Sequence, residues 1–158
     1  MQLQPMVRRF APLAISLVSI GLYVSSLFLP ALILERGTLR GTHVLAFGWY
    51  GLLMMNLAWF ANAGYAYALS QMLCMRYRCA RWAIIVAIVL STQSWMADSW
   101  WFDEGRGTPI TSLGSGYYVW TLSLIALLLA SHIAAKLDPS LPSPKPATPL
   151  STRWKGPS

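Results

Sequence analysis

Charge is what this sequence has least of: 11% of its 158 residues are Asp, Glu, Lys or Arg, where a soluble domain carries about a quarter. The shortage is greatest for acids, five against twelve Lys and Arg. Metal-binding side chains are equally scarce, since His43, His132, Cys74 and Cys79 are the whole stock of soft or borderline ligands. Cys74, Cys79 and His132 could approach one another, but a structural zinc site wants four ligands and usually closer cysteine spacing. His43 and His132 fall at opposite ends of the apolar runs, which excludes a bis-histidine haem. No metal and no cofactor is expected, and the two cysteines, among Arg76, Arg78 and Arg81, should be free thiols on a reducing side.

Ionisable groups are also missing from the middle of the apolar runs, where ion-coupled transporters place them. Asp98 comes closest, beside Trp100 and Trp101 at a boundary where a carboxylate stays hydrated. Catalytic patterns are absent as well. Gly114-Ser115-Gly116 departs from the G-x-S-x-G elbow and reads as a turn or helix start, so no enzyme is expected.

What the chain has is hydrophobic residues, 56% of the total, gathered into runs near the roughly 18 or more that cross about 30 Å of hydrocarbon. The spacing predicts an all-α fold, a four-helix transmembrane bundle in residues 1–136 with spans near 10–34, 44–72, 82–98 and 117–135. Residues 137–158 form a Pro-rich tail, expected to be disordered because it has almost no apolar periodicity to offset ordering entropy. Leu141-Pro-Ser-Pro-Lys-Pro146 within it favours polyproline II.

Orientation follows from the cations. Arg8, Arg9, Arg76, Arg78, Arg81, Lys136, Lys145, Arg153 and Lys155 would share one side, against Arg36, Arg40 and Arg106 on the other. Nine against three predicts cytoplasmic termini, and short clusters between apolar runs argue against nucleic acid as partner. The expected location is a bacterial inner membrane. Trp49, Tyr50, Trp82, Trp100, Trp101, Tyr117, Tyr118 and Trp120 cluster near the expected span ends as interfacial anchors would.

Uncharged polarity inside the spans marks the candidate contact surface: Asn56, Asn62, Tyr65 and Tyr67 in the second run and Gln93 in the third. Such groups join membrane helices, and small residues such as Gly48, Gly51, Ala58, Ala61, Gly64 and Ala68 let backbones approach. The second run should therefore be the packing centre, with its Asn/Tyr face and the Trp100-Trp101-Phe102 wedge available to a partner or a polar cavity. The triplet Arg-Gly-Thr recurs at Arg36, Arg40 and Arg106 in the outer connections, where arginine and exposed backbone N–H could hold an anion or lipid headgroup.

The stretch Leu45-Ala-Phe-Gly-Trp-Tyr-Gly-Leu-Leu53, with Asn56-Leu-Ala-Trp-Phe-Ala-Asn62 and Gly114-Ser-Gly-Tyr-Tyr-Val-Trp120, resembles small uncharacterised four-span inner-membrane proteins of bacteria. The resemblance brings no assigned activity. In size and span count the chain is also similar to membrane immunity proteins that protect against pore-forming toxins, an architectural analogy alone. The function expected is non-enzymatic: binding another membrane-inserted protein as an immunity factor or accessory subunit, or else serving a small-molecule or lipid transporter through a polar cavity around the second run. The lipid bilayer is the first partner, and a homo-oligomer is left open. Reporter fusions at residues 40 and 145 should give opposite signals for periplasmic and cytoplasmic exposure; identical signals would end the even-crossing topology.

Overall fold

The structure, a computed structural model, describes residues 5–100 and 107–137. In chain order its elements are helix α1 (Pro5–Phe28), strands β1 (Pro30–Leu34) and β2 (Gly37–Arg40), helix α2 (Gly41–Phe47) and a 3-10 segment (Gly48–Met54). Helices α3 (Phe60–Leu73) and α4 (Tyr77–Ser91), a second 3-10 segment (Thr92–Met96), strands β3 (Ser99–Trp100) and β4 (Thr108–Leu113), and helix α5 (Ser115–Leu137) complete it.

This corrects the all-α, four-helix expectation. A four-stranded antiparallel sheet in the order β2-β1-β4-β3 joins the helices, and three stretches, not four, are long and apolar enough to cross a membrane: Phe10–Phe28, Tyr77–Met96 and Ser115–Leu137. Each departure has a local cause. The first run divides because Pro30 cannot continue a helix and biases Leu29 toward extended backbone, so Pro30–Leu34 becomes β1. The second run breaks between α2 and α3: Gly48 and Gly51 weaken helix, the chain tightens to a 3-10 turn, and Met55 turns left-handed at φ 58°. What remains of it as α3 is 14 residues, about 21 Å at 1.5 Å per residue, short of the roughly 30 Å a span needs.

The third run starts earlier than expected, at Tyr77, and its expected end at residue 98 lies just before β3, where Ile110 N donates to the Asp98 carbonyl at 2.9 Å. The connection from Gly105 to Gly116 carries β4 because Thr108, Ile110 and Thr111 suit a pleated surface. Trp101, Arg106 and the tail from residue 138 lie outside the described residues.

The sheet gathers at the end where α1 finishes and α5 begins. Gly41 N donates to Leu29 O at 3.0 Å and Gly114 N to Ala31 O at 2.8 Å, tying both outer connections to one edge of the helices. Arg76 and Tyr77, at the α3–α4 turn, lie at the opposite end of α4.

Packing among the helices mixes small and polar residues with a few aliphatic ones, and many large apolar side chains face outward. Ala61, Tyr65 and Ala68 of α3 meet Ile84 and Ala87 of α4 and Leu124 and Leu127 of α5, and α1 runs along α5. Gly64 sits so close to α4 that a Cβ there would lie 3.0 Å from the Ala87 methyl. Ser19, Ser91, Ser123 and Ser131 are fully buried, while Phe10, Leu17, Val86, Val89 and Leu129 are exposed. Large apolar side chains exposed along the helices are compatible with lipid contact, where helices associate through close packing and hydrogen bonds.

At Gly114 a side chain would collide with the Pro30 carbonyl. Gly114→Ala should destabilise the protein by about 1–3 kcal/mol, the usual cost of overpacking, measured as a lower midpoint of thermal unfolding in detergent.

Candidate functional site

Where the second run breaks, the chain leaves a cavity of about 610 Å³. Its roof is the inner side of the sheet, with Ala31, Leu32 and Ile110; α2 and the first 3-10 segment form one wall through Val44, Leu45 and Leu53. Gln93 to Trp100 form another, and Gly116, Tyr117 and Trp120 of α5 close it. The volume falls in the range of about 300–1,000 Å³ typical of small-molecule sites.

Irregular backbone in apolar surroundings needs substitute hydrogen bonds, and the polar residues of the site supply them. Leu57 N donates to Gln93 Oε1 at 2.6 Å, Asn56 Nδ2 to the Gln93 carbonyl at 3.1 Å, and Ala58 N to Asn56 Oδ1 at 3.0 Å. Trp59 Nε1 reaches back to Leu45 O at 2.8 Å, clasping α2 to the start of α3. Deeper, Asn62 is a hub. Its Oδ1 accepts from Tyr23 Oη and from Trp120 Nε1, each at 3.0 Å, and its Nδ2 donates to Trp59 O at 3.0 Å.

Beneath that hub a second polar contact crosses the core. Ser19 Oγ donates to Ser123 O at 2.8 Å and lies 2.8 Å from Tyr65 Oη, so the tyrosine is the donor to it. Tyr65 stacks on Tyr23 with ring centroids 4.7 Å apart. Three helices, α1, α3 and α5, are thereby joined through polar atoms.

The residues singled out from the sequence separate into groups. Asn56, Asn62, Gln93 and Trp100 all line the cavity. Tyr65 is buried in the helix core, whereas Tyr67 is 55% exposed on another face of α3, so the Asn/Tyr face is not one surface. Arg36 and Arg40 are exposed on the β1–β2 hairpin and do not line the cavity; the third residue of that set, Arg106, and Trp101 of the wedge lie outside the described residues. Tyr23, Ser19, Val44 and Leu45 were not legible as site residues, because nothing local distinguishes them from other span residues. Trp120 was read as an anchor, and its indole instead reaches Asn62.

Among the described residues no group of three or more His, Cys, Asp or Glu could hold a metal ion; Cys74 and Cys79 are exposed free thiols. The site is therefore a mostly apolar chamber whose polar atoms are largely committed to holding its walls. The chain matches no protein-family model, no curated protein and no solved structure.

Asn62→Leu would leave the Tyr23 hydroxyl and the Trp120 indole without their acceptor. A loss of about 1–3 kcal/mol is expected from such orphaned donors, read as reduced stability and abundance, while Tyr67→Leu should change neither.

Proposed function

We propose that this chain is a non-enzymatic integral membrane protein that works by binding a small, largely apolar molecule in the cavity beneath the sheet. The observation that carries the reading is the open-sided cavity of about 610 Å³ at the broken second run. Its walls are fixed by the bonds from Asn56, Gln93 and Asn62, and a pre-formed apolar chamber with few polar groups is the usual form of such a site. Role and location go together: a cavity at one end of lipid-facing helices is filled from the bilayer as readily as from water.

The location proposed is a bacterial inner membrane with both termini cytoplasmic, the return between α1 and α4 being made by α2, the first 3-10 segment and α3 together, none of which is long enough to make it alone. Support comes from the nine cations expected on one side against three on the other, and from a sheet that collects both connections carrying those three.

A second reading, the binding of another membrane-inserted protein as an immunity factor or accessory subunit, is favoured by the apolar rim. Leu53, Met55, Trp95 and Met96 of the two 3-10 regions are between 64% and 86% exposed, and a collar of that kind suits a partner helix as well as lipid.

Native mass spectrometry of the protein released from mild detergent separates the two. A bound small molecule present on wild type and absent from both Ala97→Trp and Val44→Phe, two substitutions that fill the chamber, is expected. Equal occupancy in all three, or a bound protein and no small molecule, would defeat the cavity reading.

A further inference from the structure

The lining of the chamber is chemically selective. Resting on the cavity as the working site, we infer that its ligand is an amphipathic organic cation, with an apolar body and a single positive charge.

Three observations converge. Asp98 is the one charged residue among the described residues that line the chamber, and it is exposed at its edge. Six aromatic residues, Phe47, Tyr50, Trp59, Trp100, Tyr117 and Trp120, share the lining, and aromatic faces attract cations through their quadrupole. The amide oxygens of Asn56, Asn62 and Gln93 are already accepting bonds from the protein, so a ligand rich in hydroxyl or amide groups would enter without partners for them.

Size and charge exclude the obvious competitor. At about 30 Å³ per separate water and less per bonded atom, the chamber takes on the order of 20–30 heavy atoms, too few for a two-chain lipid. A phosphate at its edge would also face the Asp98 carboxylate. The outer connections carry four acids, Glu35, Asp98, Asp103 and Glu104, and three arginines, a balance opposite in sign to the net +7 of the whole chain. The cationic excess belongs to the other end and the tail.

The test compares two ions of the same shape and opposite charge. Tetraphenylphosphonium and tetraphenylborate are titrated against the purified full chain in dodecyl maltoside at low ionic strength, with protein-free micelles as baseline and equilibrium dialysis as readout. Saturable phosphonium binding at least about fivefold tighter than borate is expected, the scale of one partly screened charge pair. Asp98→Asn should remove the preference and Asp98→Glu should keep it; the exposed side chain makes both variants compatible with folding, since it is the Asp98 backbone that pairs with β4. Borate binding as tight as phosphonium, or a preference untouched in Asp98→Asn, would overturn the cation inference and leave the cavity reading standing. Saturable binding of neither ion, or a co-purified neutral lipid that phosphonium does not displace, would overturn it too, and the mass-spectrometric comparison above decides the cavity reading on its own.

Discussion

Backbone polar groups in apolar surroundings must find partners, and this protein meets that demand at a break in its second apolar run with side chains. Asn56 and Gln93 take over hydrogen bonds that an unbroken helix would have made for itself. The indole of Trp59 holds the preceding helix in place from across the break. Without those bonds the irregular segment from Gly48 to Trp59 would carry unsatisfied groups at several kcal/mol each. The cavity is the space the break opens, so the same three or four side chains that make the irregularity tolerable also give the chamber its shape.

Helix association follows a related economy. Small residues such as Ala61, Gly64, Ala68 and Ala87 bring α3 and α4 together around Ile84, Leu124 and Leu127, and many other bulky aliphatic residues face outward. Buried serines bond back into their own helices, Ser91 donating to Ile88 O at 2.7 Å and Ser131 to Leu128 O at 2.8 Å. Ser19 instead leaves its helix to join Tyr65 and Ser123. Asn62 does the same for Tyr23 and Trp120. Specificity of assembly thus rests on a few polar cross-links within otherwise featureless apolar surfaces.

The sheet is what aligns the chamber with these cross-links. Pairing of β1 with β4 binds the end of α1 to the beginning of α5, and Gly114 allows the two to approach closely enough for Gly114 N to reach Ala31 O. A hairpin and a returning strand so anchored form a lid of fixed backbone over the gap between the helices. Asp98 and six aromatic side chains therefore line the chamber, while the arginine-rich turn lies at the other end of α4.

Composition and run length were enough to establish that long apolar runs dominate, but they counted four spans where three stretches are long and apolar enough to cross a bilayer, because hydropathy adds up residue by residue and is blind to breaks. They also singled out Asn56, Asn62 and Gln93, since any such group within an apolar run must find a partner. Hydrophobicity alone could not tell helix from strand in Pro30–Leu34, nor see that the second run breaks, because Pro30, Gly48 and Gly51 act through backbone geometry and the freed backbone groups then need hydrogen-bond partners supplied from elsewhere in the chain. Asn62 meets Tyr23 and Trp120, 39 and 58 positions distant, and Asn56 and Leu57 meet Gln93, 37 and 36 positions distant. Only the folded chain decides such pairings, and with them where a chamber opens, which side chains line it and which merely face lipid.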